Sequence, residues 1–327
     1  MTLPVQLGHT GPQVHPIALG CMGMSGMYGP ADEAESEATI HAALERGVTL
    51  FDTGDFYGMG HNELLLGRAL RGRRDQAVVS VKFGAQRGPD GAWLGYDARP
   101  AAVKTFAAYS LKRLGVDHID IYRPARLDPN VPIEDTIGAI ADLVRAGYVR
   151  HIGLSEVGPE TIRRAYAVHP IVDLQIEYAL VSRAPEAKIF PVLRELGIAV
   201  TAYGVLSRGL LSGSTMKGPA DFRAHMPRFT GENGAQNRVL VETLQALAAA
   251  RGVTASQLAI AWVLAPRDVT IVPTIGSRTR AQLDEALGAL AITLSASERA
   301  ELEAAVPAVA GERYAPAQMK TLDSERA

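Results

Sequence analysis

The chain has 327 residues, 47% hydrophobic and 21% charged, enough for one large α/β unit with a substantial core, and its formal net charge of -2 offers no attraction to nucleic acid or to an anionic membrane surface. Its single cysteine, Cys21, excludes an intramolecular disulfide, and no apolar run approaches the roughly 20 residues that span a bilayer. Met1 to Gly11 lacks the basic start and apolar core of a secretory signal, so a reducing cytoplasm is the expected setting.

Taken in chain order, short β-rich runs alternate with helical patterns. A strand is predicted over His15 to Leu19, a helix over Asp32 to Arg46, and strands over Thr49 to Asp52 and Ala77 to Lys82. A helix over Arg99 to Leu114 then leads to a strand over Ile119 to Arg123, and a helix over Pro132 to Ala146 to a strand over His151 to Ser155. Next come a helix over Pro159 to Val168, a strand over Ile171 to Gln175, a helix over Ala187 to Glu195 and a strand over Ala199 to Tyr203. The series ends with a helix over Asn237 to Ala250, a strand over Thr270 to Thr274 and a helix over Arg280 to Leu290. Gly47, Gly115, Gly147 and Gly197 stand just past helix ends, where a left-handed residue closes the last turn.

Eight strand-helix units predict a (β/α)8 barrel spanning residues 1–327 as one domain, with a short N-terminal segment able to form a β-hairpin and a C-terminal helix and tail. No GxGxxG follows the first strand, which argues against a doubly wound sheet. In such barrels the functional groups gather where strands end. Asp52, Lys82, Arg123, Ser155, Gln175 and Tyr203 all lie at or just after predicted strand ends, with Tyr57 five residues beyond Asp52. Tyrosine, with an ordinary pKa of about 10, donates a proton at neutral pH only if the phenolate left behind is stabilised. Lys82 is the expected ammonium, lowering the Tyr57 pKa, with Asp52 orienting the lysine.

These residues carry a family resemblance. Asp52-Thr53-Gly54-Asp55-Phe56-Tyr57-Gly58 resembles the signature of the aldo-keto reductases, and the likeness continues through Gly67-Arg68-Ala69-Leu70, Lys82, Ile119-Asp120-Ile121-Tyr122, Ile152-Gly153-Leu154-Ser155, Gln175-Ile176-Glu177-Tyr178 and Gly276-Ser277-Arg278. The resemblance implies an NADPH-dependent enzyme that reduces aldehyde or ketone carbonyls to alcohols, with Tyr57 as general acid. Its Asp, Tyr and Lys map to Asp52, Tyr57 and Lys82, but Ala125 stands where relatives carry a histidine after the fourth strand. Strand alternation puts Arg123 on the same face as Ala125 and Arg126 on the other, so Arg123 is the expected substitute donor. Three readings of Ala125 stay open: a working variant, a slow enzyme or one that selects bulky ketones, and either an engineered substitution or a protein that binds NADP(H) as a sensor or regulator with little turnover. Reduction of a carbon-carbon double bond is a further alternative.

The resemblance also implies the cofactor contacts. Ser155 and Gln175 would hold the nicotinamide carboxamide and Tyr203 would stack on the ring. Ser207, Arg208 and Lys217 would meet the phosphates, and Gly276, Ser277 and Arg278, opening a helix with Gln282 and Glu285, would hold the adenosine and its 2'-phosphate, favouring NADPH. Relatives have Asn where this chain has Glu156, and a carboxylate only accepts hydrogen bonds. The expected rim of the substrate pocket is Met24, Met27, Tyr28, Phe83, Trp93, Tyr122, Arg123 and Ala125, an apolar and aromatic surface for a small aldehyde or ketone. The histidines show no metal-ligand spacing, and no metal is expected.

Overall fold

In the computed structural model, which describes residues 3–214 and 221–325, all eight predicted strands form and close on themselves. A two-stranded hairpin comes first, β1 (Val5–Gln6) and β2 (Gln13–Val14). The barrel strands are β3 (Ala18–Gly20), β4 (Leu50–Gly54), β5 (Val78–Phe83), β8 (Ile119–Pro124), β9 (Val149–Ser155), β10 (Ile171–Glu177), β11 (Ala199–Tyr203) and β12 (Ile271–Gly276). Between β5 and β8 a second hairpin, β6 (Ala85–Arg87) with β7 (Trp93–Tyr96), rises beside the barrel mouth. Each barrel strand pairs in parallel with the next, and β12 closes onto β3 through Thr274 to Ala18 and Gly276 to Gly20.

Helices return the chain between strands: α1 (Glu33–Glu45), α2 (His61–Ala69), α3 (Pro100–Leu114), α4 (Ile133–Arg145), α5 (Pro159–Val168) and α6 (Pro185–Leu196). Two helices, α7 (Gly231–Ala249) and α8 (Ala255–Leu264), lie between β11 and β12, and α9 (Arg280–Gly288), α10 (Ala296–Ala305) and α11 (Pro316–Met319) follow β12. Local chemistry marks the ends. The Asp32 carboxylate accepts from the Glu35 N–H to start α1, and Gly115 and Gly197 close α3 and α6 in the left-handed region at φ 67° and 63°.

The barrel interior is filled in tiers. The N-terminal hairpin plugs the floor with Leu7 and Val14 against Ala18, Leu50, Ile121, Val172, Ala199 and Val272. Above lies a polar tier in which Arg123 donates to Asp173 (2.8 Å), Thr201 (3.2 Å) and Ser80 (2.9 Å). A Cβ on Gly153 would sit 2.7 Å from the Asp173 carboxylate and 3.0 Å from the Arg123 guanidinium, so only glycine leaves room for this pair. Outside, Phe83 and Tyr122 stack with centroids 4.3 Å apart, and the Tyr122 hydroxyl donates to the Val103 carbonyl of α3. No helix among the described residues is long and apolar enough to cross a membrane.

Candidate active site

At the C-terminal mouth, β4, β5 and β10 bring three side chains to one point. Lys82 Nζ lies 2.5 Å from Asp52 Oδ2, while Asp52 Oδ1 accepts from Gln175 Nε2 (2.9 Å) and from the Ser80 hydroxyl (3.2 Å). Burial pulls the Lys82 pKa down, and the Asp52 charge works against that pull. The loop after β4 carries Tyr57 back over this pair, with Lys82 Nζ 5.1 Å from the centre of the phenol ring. The Tyr57 hydroxyl makes no hydrogen bond with any described residue.

Burial, aided by the Asp52 charge, raises the Tyr57 pKa well above its ordinary value, which corrects the expected lowering by Lys82. The cation that opposes this rise is Arg126. In the protein without ligand Tyr57 therefore keeps its proton.

Tyr57, Lys82, Asp52 and Gln175 form one wall of a cavity of about 580 Å³. Met27, Tyr28, Trp93 and Ala125 also line it, as the sequence suggested, and Trp93 reaches it from the β6–β7 hairpin. Four rim expectations are corrected. Phe83 and Tyr122 face outward toward α3, because alternation along β5 and β8 puts Lys82 and Arg123 inside and these aromatics outside. Arg123 is inside but one tier too deep, buried against Asp173. Met24 is likewise buried in the core. Arg126 lines the cavity instead, since β8 ends at Pro124 and pleat alternation ends with it.

Other residues at the cavity had no periodic signal. Tyr96 comes from the second hairpin, Phe222 and Met226 from the segment after β11, and Tyr314 and Gln318 from the C-terminal tail. The tail is fastened by Arg313, which makes a paired contact with Glu156 (2.9 and 2.6 Å). Glu156 also accepts from the Tyr203 hydroxyl (2.7 Å), Ser324 (2.7 Å) and the Glu177 N–H (2.9 Å). Although burial works against its charge, these partners hold the Glu156 carboxyl far below the usual carboxylate range.

A second lobe of about 240 Å³ shares Gly23, Tyr28, Gly204, Arg208, Thr274 and Gly276 with the first, making one continuous cleft. Ser277, Arg278, Gln282 and Glu285 line it at the start of α9. Gln282 accepts from the Arg278 N–H (2.8 Å), and the Arg278 stem lies over Gly23, where a Cβ would meet it at 3.1 Å. The hydroxyls of Thr274 and Ser277 are buried without a hydrogen-bond partner. Unsatisfied donors beside Arg278 at a helix start suit a phosphate-bearing nucleotide. Arg208 is paired with Glu177 (2.8 Å) and takes φ 58°, with Ser207 at φ 46° and Glu156 at φ 53°, three left-handed non-glycine residues at one mouth.

Ser207 and Ser155 line neither lobe. Ser207 accepts from Arg228 (3.1 Å) in the scaffold, and the Ser155 hydroxyl accepts from Arg126 (3.3 Å) just beneath the surface. Tyr203 and Gln175 are at the larger lobe. Lys217 falls outside the described residues. Among the described residues no group of three or more His, Cys, Asp or Glu side chains is arranged to hold a metal.

The profile of the Aldo/keto reductase family matches residues 16–307. A probable aldo-keto reductase 1 from Glycine max is 42% identical over 321 residues, covering 95% of this chain and 91% of that protein. The glycerol dehydrogenase of Gluconobacter oxydans superposes with a TM-score of 0.83 at 26% identity, over 99% of this chain and 97% of that one. The holo form of an aldo-keto reductase from Bacillus halodurans gives 0.79 at 28% identity, over 95% and 99%. A match over nearly the whole chain, on a barrel whose mouth holds the Asp52, Tyr57 and Lys82 group, assigns this chain to the aldo/keto reductase family, oxidoreductases that act on small carbonyl substrates with a nicotinamide cofactor.

Proposed function

We propose that the chain is an NADPH-dependent reductase of aldehydes and ketones, working as one barrel domain in a reducing cytoplasm, with Tyr57 as proton donor. The observation that carries this reading is the protonated Tyr57 hydroxyl, without a partner among the described residues, on the cavity wall beside the Lys82–Asp52 pair. Reduced nicotinamide, when bound, supplies a hydride to the carbonyl carbon. Tyr57 gives its proton to the carbonyl oxygen as negative charge develops there, and an alkoxide is basic enough to take it from a buried phenol. The Lys82 ammonium then stabilises the phenolate, and Asp52, Gln175 and Ser80 keep that ammonium in place.

For the cofactor, Gln175 serves the carboxamide and Tyr203 the ring face, while Arg208 and Gly204 flank the phosphates. Arg278 and Ser277 favour a 2'-phosphate, hence NADPH over NADH, with Gln282 and Glu285 beside the adenosine.

The test follows NADPH oxidation over a panel of aromatic aldehydes, diketones and ketones for the chain and for Tyr57→Phe, with NADPH binding titrated alongside. Turnover should fall by at least about 100-fold in Tyr57→Phe while binding is kept. Tight NADPH binding with no turnover on any carbonyl would instead support an NADP(H)-binding sensor, a reading that Ala125 keeps open.

A further inference from the structure

We infer that Arg126 is a receptor for a carboxylate on the substrate, so that the cavity suits 2-oxo acids, in which the carboxylate sits next to the carbonyl to be reduced. This rests on the reductase reading and names its substrate class.

Two arginines line the larger lobe, and they differ in what they already hold. Arg208 is committed to Glu177 at 2.8 Å. Arg126 has no carboxylate within 4.0 Å among the described residues. Its Nη1 donates to the Ala125 carbonyl (2.6 Å) and, at 3.3 Å, to the Ser155 hydroxyl; its Nη2 reaches only the Tyr203 hydroxyl, at 3.4 Å. Its Nε is buried with no partner. A guanidinium carries five N–H donors and stays charged, so one good contact and two long ones leave it poorly satisfied. Withdrawing such a cation from water is costly unless an anion meets it.

The Glu156 charge favours the Arg126 cation from a distance but makes no contact with it. Both Glu156 oxygens are taken by Arg313, Ser324, Tyr203 and the Glu177 N–H. Away from the lobe, Arg123 and Arg228 also have carboxylates, Asp173 at 2.8 Å and Glu177 at 3.7 Å. Of the two arginines that line the lobe, Arg126 is the one without a carboxylate contact.

Its placement matches a 2-oxo acid. Arg126 and Tyr57 line the same cavity, so one ligand in it can face both. The planar fork of an arginine takes a carboxylate through two parallel hydrogen bonds. Ala125 removes side-chain bulk from the wall beside it, and Met27, Phe56, Trp93 and Met226 offer apolar surface for the substituent beyond the carbonyl.

The experiment compares kcat/KM for phenylglyoxylate and for its neutral methyl ester in the chain, in Arg126→Gln and in Arg126→Lys. Affinities for NADPH and for benzoate, an unreactive carboxylate, are titrated in all three. A lost charge-assisted contact is worth roughly a 10- to 100-fold change. Arg126→Gln should lower the acid-to-ester ratio by about that factor, mainly through KM, and weaken benzoate by at least about tenfold. Arg126→Lys should recover part of both, and it serves as the test variant if Arg126→Gln does not fold. An unchanged ratio overturns the proposal. So does a parallel fall for acid and ester with weakened NADPH binding, which would make Arg126 a support of the cofactor. If the unsubstituted chain reduces neither these two compounds nor any carbonyl of the wider panel, the reductase reading fails, and benzoate alone decides: binding that depends on Arg126 upholds the anion receptor, and binding that does not overturns it.

Discussion

Arg313 and Glu156, 157 residues apart in sequence, form a two-pronged ion pair that ties the C-terminal tail to the end of β9. The tail is also held there by Asp323 accepting from the Gly158 N–H (2.8 Å) and by the Ser324 hydroxyl donating to Glu156. The pair accounts for the departure from the asparagine expected at position 156. Glu156 adopts φ 53°, where asparagine is tolerated better than glutamate, and the arginine offsets that strain.

Removing Arg313 leaves a buried carboxylate short of its main partner. Arg313→Ala should cost about 3–5 kcal/mol in urea unfolding, and the double change Glu156→Gln with Arg313→Met should recover much of it. Equal losses in the single and double variants would show that the pair is not what matters.

Arg123 and Asp173 are a structural pair inside the barrel, below the cavity. Arg123→Met should lose about 3–5 kcal/mol of stability, and adding Asp173→Asn should restore part of it. Selection between charged and neutral substrates should stay as in the parent chain, which steady-state kinetics on both kinds will check.

Asp55 predicts a pH dependence of stability. Burial, reinforced by the neighbouring Glu63 charge, raises its pKa from 3.8 to about 7. Between those values the unfolded chain has lost the proton that the folded protein keeps, so stability falls as pH rises through the window and levels off above about 7. The shift corresponds to up to about 4 kcal/mol. Asp55→Asn should flatten unfolding free energies measured from about pH 4 to 8. The same slope in the variant would place the titrating group elsewhere.

Arg278 should govern the choice of cofactor. Arg278→Ala is expected to weaken NADPH by about 10- to 100-fold and to leave NADH much less affected, as read by fluorescence titration of both. A matched loss for the two cofactors would remove the 2'-phosphate from its role.

Local and periodic features were legible without coordinates. The eight strands announce themselves as short apolar runs, because a strand covered on both faces must be apolar whatever its partners. The Asp52, Tyr57 and Lys82 group was readable because strand ends in a barrel converge by topology. Helix α2 is not among the predicted elements, and neither is α8. For α8 the reason is physical. It is buried all round, so it has no amphipathic period, although its capping box of Thr254 and Gln257 was there to be found.

What the tertiary structure decided depends on depth and on distant partners. Arg123 and Arg126 are three residues apart, and alternation alone favoured the first. The tier at which a side chain meets the cavity, and whether Asp173 or Glu156 is free to neutralise it, are set by strands and a tail remote in sequence. The Tyr57 pKa follows the same rule, since burial and the nearness of the Asp52 and Arg126 charges exist only once the chain is closed. One sequence determines both kinds of feature, but repeating local patterns report themselves, while charge balance in a buried site is the property of an assembled surrounding.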